Sequence, residues 1–502
     1  MKKIYLIILS VFTIVLSGNS QNVDDALRYS QIFYSGTARF NSMGGAFTAL
    51  GGDLSSLNLN PAGIGVYRSF EFTFTPRLVY NNVKSVFNSS SLSDFNYKFG
   101  LNQIGVVANI ISNDNNSGLI NLNLGYSFVK TNNFDENISI NGISNKSSMT
   151  DFWVSRANGL TKNSIPNDAW AAVQTFLIDT IAGSSSQYAT IFSHYGDSTF
   201  STYGQNIRRF ITNEGSTGEH SFSIGGNVNN FIYFGATLGI STVRYSGHYE
   251  HLESDINNEI YDFKNFTYTN HLEASGTGYS LKIGAIIRPV EMLRIGLALH
   301  SPVVYRLHEY YYDNINAVFD IKVDGIDTYD YSNSPRRYSY TLTTPFRALA
   351  GVALQIKKLA ILSADYEYVD YRMAQFSKAS DNYNYNAPDG ENPSINQSIK
   401  DILKTASNIR LGAEFRIKNI YLRGGYGYYG KAFAANELNK NLNYNSLSFG
   451  LGFRQQNFFL DLAFTNLSGK QEYLMYYDPG YLKPASLSTS RNTFSATLGY
   501  KF

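Results

Sequence analysis

The last nine residues, Phe494-Ser495-Ala496-Thr497-Leu498-Gly499-Tyr500-Lys501-Phe502, decide the fold. Phe494, Ala496, Leu498, Tyr500 and Phe502 alternate with Ser495, Thr497, Gly499 and Lys501. Successive side chains of a strand face opposite sides. The segment is therefore a strand with one apolar face and one face of polar residues and glycine. The same period recurs upstream. Phe70, Phe72 and Phe74 alternate with Glu71, Thr73 and Thr75, and Leu447, Phe449, Leu451 and Phe453 with Ser448, Gly450 and Gly452. Ile120, Leu122, Leu124, Tyr126 and Phe128 alternate with Asn121, Asn123, Gly125 and Ser127.

This patterning suits a soluble sandwich or a membrane barrel, and three features favour the barrel. Tyrosines cluster at strand ends, as in Tyr310-Tyr311-Tyr312 and Tyr426-Gly427-Tyr428-Tyr429, where an interfacial girdle would place them. The chain closes on a strand ending in Phe. Connections alternate between tight and long. The tight ones are 113–118, 229–230, 289–292, 357–358, 418–419 and 456–457; the long ones are 81–96, 136–218, 251–261, 314–337, 375–406, 431–443 and 468–490. Short turns on one side and long loops on the other are the asymmetry of outer-membrane barrels. The expectation is an all-β transmembrane antiparallel barrel of about 14 strands over residues 68–502, with the 136–218 loop as an extracellular insertion.

Two loops carry helical patterning. Asp168–Ile181 places Trp170, Val173, Phe176, Leu177 and Ile181 on one face, and Ser394–Thr405 is a weaker helix. Trp170 and Phe176 are the candidates there to meet an apolar ligand.

Composition agrees. The chain has 502 residues, 16% charged and 15% aromatic, with a net charge of +2 and no cysteine. The near-neutral balance excludes a nucleic-acid binder, which needs a basic surface. Without cysteine there is no disulfide framework, thiolate metal site or cysteine nucleophile. Met1-Lys2-Lys3 followed by the apolar run Ile4–Leu16 and Ser17-Gly18-Asn19-Ser20 reads as a signal peptide over residues 1–20. The run is shorter than the roughly 20 residues of a spanning helix. The mature chain is expected to be exported to a Gram-negative outer membrane.

Residues 21–67 do not read as barrel strands. A short helix-like stretch, Ala26–Ile32, precedes a run of small residues from Gly36 to Asp53, including Met43-Gly44-Gly45-Ala46, and Asn60-Pro61-Ala62-Gly63 closes the segment. A wide lumen needs a plug, and a segment of this length is the right size for one.

The Gly36–Gly63 run, with Gly44, Gly45, Asp53, Asn60, Pro61 and Ala62, resembles the N-terminal hatch of the FadL/TodX family of outer-membrane transporters of hydrophobic compounds. That resemblance implies a fourteen-stranded barrel closed by the hatch. It implies capture of an apolar solute, by default a long-chain fatty acid, in the external loops, and release by hatch movement or through a gap at the third strand. The low charge, high Asn and Tyr content and long loops look like a Bacteroidetes-type member. One departure stands out: the third strand has no Pro and only Gly125 as a bend, which argues against a lateral opening.

The polar faces supply candidate lumen residues: Glu71, Lys282, Arg294, His300, Arg347, Asp365, Glu367, Arg410, Glu414, Arg423, Arg454 and Asp461. Two readings follow. The residues form a cross-barrel ion-pair network, or one or two arginines meet the carboxylate of an amphipathic solute, since guanidinium binds carboxylate bidentately. Arg347 and Arg410 are the first candidates, with Glu414 and Arg423 beside them. Enzyme motifs are lacking: the sequence has no Gly-x-Ser-x-Gly elbow and no His-Glu-x-x-His. Gly425–Lys431 nearly matches a phosphate loop but lacks its final Ser/Thr and lies on a strand. His248 and His251, three apart on a strand, fall on opposite faces. No catalytic residue, metal or cofactor is expected. The alternative function is a structural or shuttle subunit of a protein-secretion system, with the 136–218 loop as the partner surface.

Overall fold

The computed structural model describes residues 22–113, 117–197, 202–378, 393–478 and 481–502. The leader expected over residues 1–20 lies outside them. Fourteen antiparallel strands close into a barrel. In chain order they are β1 (Glu71–Phe87), β2 (Ser90–Ser112), β3 (Leu119–Asn133), β4 (Asn206–Val228), β5 (Ile232–Ser254) and β6 (Asn265–Val290). Two broken strands follow: β7 (Leu293–His300 and Val304–Val323) and β8 (Arg336–Thr343 and Arg347–Ile356). The rest are β9 (Ala360–Asp370), β10 (Thr405–Ile417), β11 (Ile420–Tyr429), β12 (Tyr444–Gln455), β13 (Phe458–Tyr473) and β14 (Ala485–Lys501). The terminal strand closes the barrel on β1, from Glu71 opposite Lys501 to Val86 opposite Ser486.

The breaks in β7 and β8 fall at Pro302 and Pro345, which cannot donate to a ladder. They lie side by side: Val303 N–H donates to Thr344 Oγ1 and Thr344 N–H to Val303 O, both at 2.9 Å. At the tight turns Asn229 and Asn230 both have positive φ, of 56° and 52°. Asparagine tolerates that conformation better than most residues.

The apolar faces point outward. Phe72, Phe74, Leu281, Leu297, Leu451 and Leu498 are all exposed around the wall, while Thr73, Thr75 and Thr497 on the other face are buried. A closed barrel with an outward apolar band is the transmembrane arrangement, because every backbone polar group is satisfied within the wall. No helix among the described residues is long and apolar enough to cross a membrane.

Several expected loops are strands. Residues 81–96 continue β1 and β2 around a turn at Asn88-Ser89, and 314–332 form a hairpin of β7 with the strand Ile326–Ser332. The 136–218 insertion opens with the strand Glu136–Ile143, and β4 begins at Asn206 instead of Glu219. Beyond the bilayer both faces meet water or the cap, so the alternation that marks a membrane strand is lost. The insertion also holds α4 (Met149–Ala157), which the sequence reading missed, and α5 (Asn167–Gln174). The helix expected to reach Ile181 stops at Gln174. Phe176 takes a φ of 58°, and Ile178–Thr180 pairs instead with Tyr188–Thr190. The second expected loop helix is Pro393–Ile402. Trp153, Phe192, Phe263 and Phe266 give this external cap a core of its own, joined by Phe87 and Ile140.

Candidate functional site

Residues 22–67 fill the lumen. Three short helices, α1 (Val23–Ser30), α2 (Ala38–Ser42) and α3 (Ser56–Leu59), and a 3₁₀ turn at Pro61–Val66 follow one another there. α1 is capped by Asn22 Oδ1, which accepts the Asp25 N–H at 2.7 Å. Its Ala26, Leu27 and Tyr29 are buried against Tyr305, Leu307, Tyr340 and Leu342 of β7 and β8.

Each residue of the hatch motif has a structural role. Asp53 accepts the Thr37 hydroxyl at 2.7 Å and the Ser55 N–H at 2.9 Å, tying the start of α2 to the α3 turn. Asn60 Oδ1 accepts the Ala62 N–H at 3.1 Å, and its Nδ2 donates to Thr48 O at 2.6 Å. Pro61 sits at the first position of its turn, where no N–H is needed. Ala62 packs on Tyr233 and Ile286 of the wall. Gly44 and Gly45 have φ of 62° and 72° and turn the chain beside β11.

The wall is built to receive this segment. The inward face that reads as glycine in the sequence is where the plug backbone lies. A Cβ on Gly235 would sit 2.4 Å from Pro61 O, on Gly296 2.1 Å from Thr48 O, and on Gly425 2.1 Å from Gly44 N. Side chains then hold it: Lys282 Nζ donates to Asn58 O at 3.0 Å, and His300 Nε2 lies 2.8 Å from Leu59 O.

The candidate charges form buried networks. Glu367 accepts Arg347 Nη1 on one oxygen at 2.5 Å and Arg410 Nη1 on the other at 2.7 Å. Arg347 also donates to Ser30 O of α1. Glu414 joins Arg423 at 2.6 Å and Arg39 of the plug at 2.9 Å, and Arg423 continues to Asp461 at 2.7 Å. Lys282 pairs with Glu219 at 2.5 Å. A polar cavity of about 310 Å³ opens beneath, lined by Arg39, Glu71, Gln355, Glu414, Arg454 and Lys501. Trp170 and Phe176 lie elsewhere, in the external cap. Trp170 is half-buried, and Phe176 is exposed with its ring edge-on to Tyr329 at 4.8 Å. The candidate residues thus form two groups that this structure does not bring together. His248 is half-buried and His251 fully buried, on opposite faces.

The wall itself is interrupted. The ladder between β2 and β3 ends at Gln103 opposite Val129. Beyond it β2 pairs only with β1, and β3 only with β4. β3 then gives way to the strand Glu136–Ile143, whose neighbours include β1: Ser139 O accepts the Ser85 hydroxyl at 2.5 Å, and just before the strand Asp135 O accepts the Asn81 amide at 3.1 Å. Phe99 and Tyr97, outside this interruption, are 75% and 70% exposed. The absence of Pro from the third strand argues against a lateral opening; the strand is continuous to Asn133, yet its ladder with β2 ends at Gln103 opposite Val129. The divergence needs neither Pro nor a bend at Gly125, whose face is taken by Ile64 and Leu57 of the plug. A bulge at Lys130/Asn132 in the β3–β4 ladder and the left-handed Gly215 (φ 114°) on β4 lie where the strands part, and bulges bend the strand that carries them. At this place the plug is fastened to the wall: Phe33 N–H donates to Thr131 O at 2.9 Å and the Ser35 hydroxyl to Asn102 Oδ1 at 2.8 Å. Arg77, Asn102, Asn133 and Arg491, which line the same region, were not singled out from the sequence. The alternation of β1 and β14 placed Arg77 and Arg491 inward; their proximity needed the folded wall.

A fourteen-stranded transmembrane barrel with its lumen filled by an N-terminal segment is a distinct class of membrane protein. Among solved structures it is similar to a FadL homologue of Pseudomonas aeruginosa, with a TM-score of 0.55 and 12% identity over 94% of this chain and 100% of that one. It is also similar to the Pseudomonas putida toluene transporter TodX, with a TM-score of 0.51 and 12% identity over 94% and 100% of the two chains. The fold is the FadL-type barrel. No family model and no curated protein matches the sequence.

Proposed function

We propose that this protein is an outer-membrane channel for uptake of hydrophobic small molecules, with long-chain fatty acids as the default substrate and residues 1–20 as its export signal. The observation that carries the reading is the interrupted β2–β3 ladder beside a stretch of the plug that is joined to the wall there by hydrogen bonds. An apolar solute entering through the cap displaces α1 from the apolar surface of β7 and β8. It leaves sideways between β2 and β3 into the membrane, past Tyr97 and Phe99. Trp170 and Phe176 would meet the solute in the cap, and Arg347, Arg410, Glu414 and Arg423 once the plug has shifted. Gly44, Gly45, Asp53, Asn60, Pro61 and Ala62 keep the plug in its closed form. The FadL-type fold and the outward apolar belt support this reading. No specific observation favours the secretion-subunit alternative, since the long insertion folds into a packed cap.

The test is equilibrium binding of a long-chain fatty acid to the purified, detergent-folded mature protein, with an empty barrel as control. Saturable micromolar binding displaced by other apolar solutes is expected; binding no better than the control refutes the reading. For the exit route, Ser35→Cys with Asn102→Cys gives an oxidisable tether in a chain that has no other cysteine. The oxidised tether is expected to stop uptake into cells while leaving external binding intact.

A further inference from the structure

Above the apolar belt the outer surface of the wall is not uniform. On β5–β7 two adjacent rows carry two arginines and a histidine among hydroxyls. Arg244 of β5 stands opposite Ser275 of β6, and Ser275 opposite His308 of β7. One row closer to the belt, Thr242 stands opposite Thr277, and Thr277 opposite Arg306. Their chain neighbours Val243, Tyr245, Ala274, Tyr305 and Leu307 are buried, so these residues face outward. Arg244, Arg306 and His308 are exposed. The next row down is apolar: Ile240, Tyr279 and Val304 stand in register. The cations therefore lie two and four residues beyond the edge of the belt, about 7–14 Å along tilted strands. They are on the side of the cap, which is the headgroup level of the outer leaflet, where tyrosines such as Tyr279 mark the interface.

No carboxylate stands in these two rows. The nearest are one row further out, and both are engaged: Glu273 accepts His271 Nε2–H at 2.9 Å, and Glu214 lies 3.5 Å from Lys98 Nζ. The Arg244 side chain makes no hydrogen bond or ion pair among the described residues. His308 Nδ1 lies 2.8 Å from the Ser339 hydroxyl, which leaves Nε2 as its other polar atom. Other parts of the rim differ. Beyond Leu447 and Phe494 on β12–β14 the outward positions are Asn445, Asn466, Ser468, Ser490 and Asn492, with no charge. Asn466 donates to Ser490 Oγ at 2.9 Å and to Asn492 Oδ1 at 2.8 Å, so that surface satisfies itself.

Guanidinium groups offer paired donors that match two oxygens of a phosphate. Two strand spacings of about 4.8 Å separate Arg244 from His308, so long side chains from β5 and β7 can converge on one phosphate above β6. The hydroxyls of Thr242, Ser275 and Thr277 lie between them as further donors. Immediately below is an apolar surface, with Tyr279, Leu281 and Val304 exposed. A phosphate ligand for this patch must therefore carry apolar chains. We propose that Arg244, Arg306 and His308 form a site on the outer wall for the phosphate of a phosphorylated glycolipid of the outer leaflet. Its acyl chains lie down the belt over Tyr279, Leu281 and Val304. The site does not depend on which solute passes through the lumen.

The experiment measures binding of diphosphoryl lipid A, and of the same lipid with its phosphates removed, to the full mature barrel in detergent by native mass spectrometry. The wild type is expected to bind the phosphorylated lipid at least 10-fold more tightly. Arg244→Gln with Arg306→Gln is expected to lower that affinity 5-fold or more and leave the dephosphorylated lipid unchanged. Both side chains are exposed, so the double variant is expected to keep the wild-type circular dichroism spectrum. Lys84→Gln removes an exposed cation from the outer wall of β1 and is expected to change neither affinity. Equal affinity of the wild type for the two lipids overturns the site. A phosphate preference that survives in the double variant overturns it, and so does an equal loss in Lys84→Gln, which would assign the preference to overall charge. Phosphatidylglycerol bound as tightly as diphosphoryl lipid A would mark a surface for any anionic lipid and overturn the assignment to the outer-leaflet glycolipid.

Discussion

The carboxylate of Asp365 on β9 accepts both the backbone N–H of Thr48, at 2.9 Å, and its hydroxyl, at 2.7 Å. Both residues are buried, and the contact joins the middle of the plug to the wall. Hydrogen bonds to a charged group contribute about 1.5–3 kcal/mol each. Asp365→Ala removes the one oxygen, Oδ2, that accepts both bonds and leaves two buried donors unpaired. The expected result is a plug that leaves its seat more often, seen as larger and more frequent conductance steps in planar bilayers than the wild type shows. Unchanged conductance would mean that the plug is held by its other contacts alone.

The glycine-lined wall makes a sharper demand. A Cβ at Gly296 would lie 2.1 Å from Thr48 O and 2.7 Å from Ala49 Cα, so backbone would have to move. Gly296→Val is expected to destabilise the seated plug by at least about 1–3 kcal/mol, as overpacking does. Trypsin should then cut after Arg39 in the folded barrel. Gly100→Ala is the control, because nothing lies within 4 Å of that position.

These two contacts show what could and could not be read from the chain. Fourteen strands were legible because the lipid-facing side of each must be apolar, and Phe72, Leu297 and Leu498 all report it. The upper parts of β1, β2 and β4 were not, because above the bilayer Ser85 and Ser93 carry no such constraint. That Gly296 and Gly425 face inward was legible from alternation; that plug backbone lies against them was not. Arg347 and Arg410 could be placed in the lumen, but not matched to a shared Glu367, because that depends on the register of β8, β9 and β10. Arg77 lies on the same alternating face as Glu71, yet its position over the gap follows from a strand divergence with no Pro to mark it.

The external cap is expected to respond to pH. Glu253 accepts Met149 N–H at 2.7 Å, Gln205 Nε2 at 2.9 Å and His251 Nε2–H at 2.9 Å, which joins α4 to the top of β5. Burial pushes its carboxyl up to about 7, and burial does the same for Asp151, which accepts the Tyr203 hydroxyl at 2.8 Å. His251 is held well below its usual value by burial and by Arg209, so it stays neutral. Both carboxyls hold their protons more tightly folded than unfolded. Their contribution is therefore full below pH 4 and is lost as pH rises through 7, on the order of 3 kcal/mol each. Hydrogen exchange of residues 144–160 is expected to be slower at pH 5.5 than at pH 8.5, after correction for the intrinsic rate. Glu253→Gln should flatten the difference. Equal protection at both values would show that the cap does not sense these groups.

Arg347 and Arg410 share Glu367, so the three side chains should respond unequally to truncation. Glu367→Ala leaves two buried guanidinium groups without their main carboxylate, and Arg410 then has only Asp365, at 3.8 Å. Breaking a buried pair in this way costs about 3–5 kcal/mol. Arg347→Ala still leaves Glu367 with Arg410 and strands the buried acceptor Ser30 O of α1, so its cost is expected to be smaller, about 1–3 kcal/mol. Thermal denaturation in detergent should order the variants wild type, Arg347→Ala, Glu367→Ala from most to least stable. The same Arg347→Ala protein separates a structural arginine from a ligand-binding one. If Arg347 meets the solute once the plug shifts, affinity for fatty acid falls while affinity for an uncharged hydrocarbon holds. If its role is to seat α1, both affinities change together, because the same helix must leave before either solute can enter.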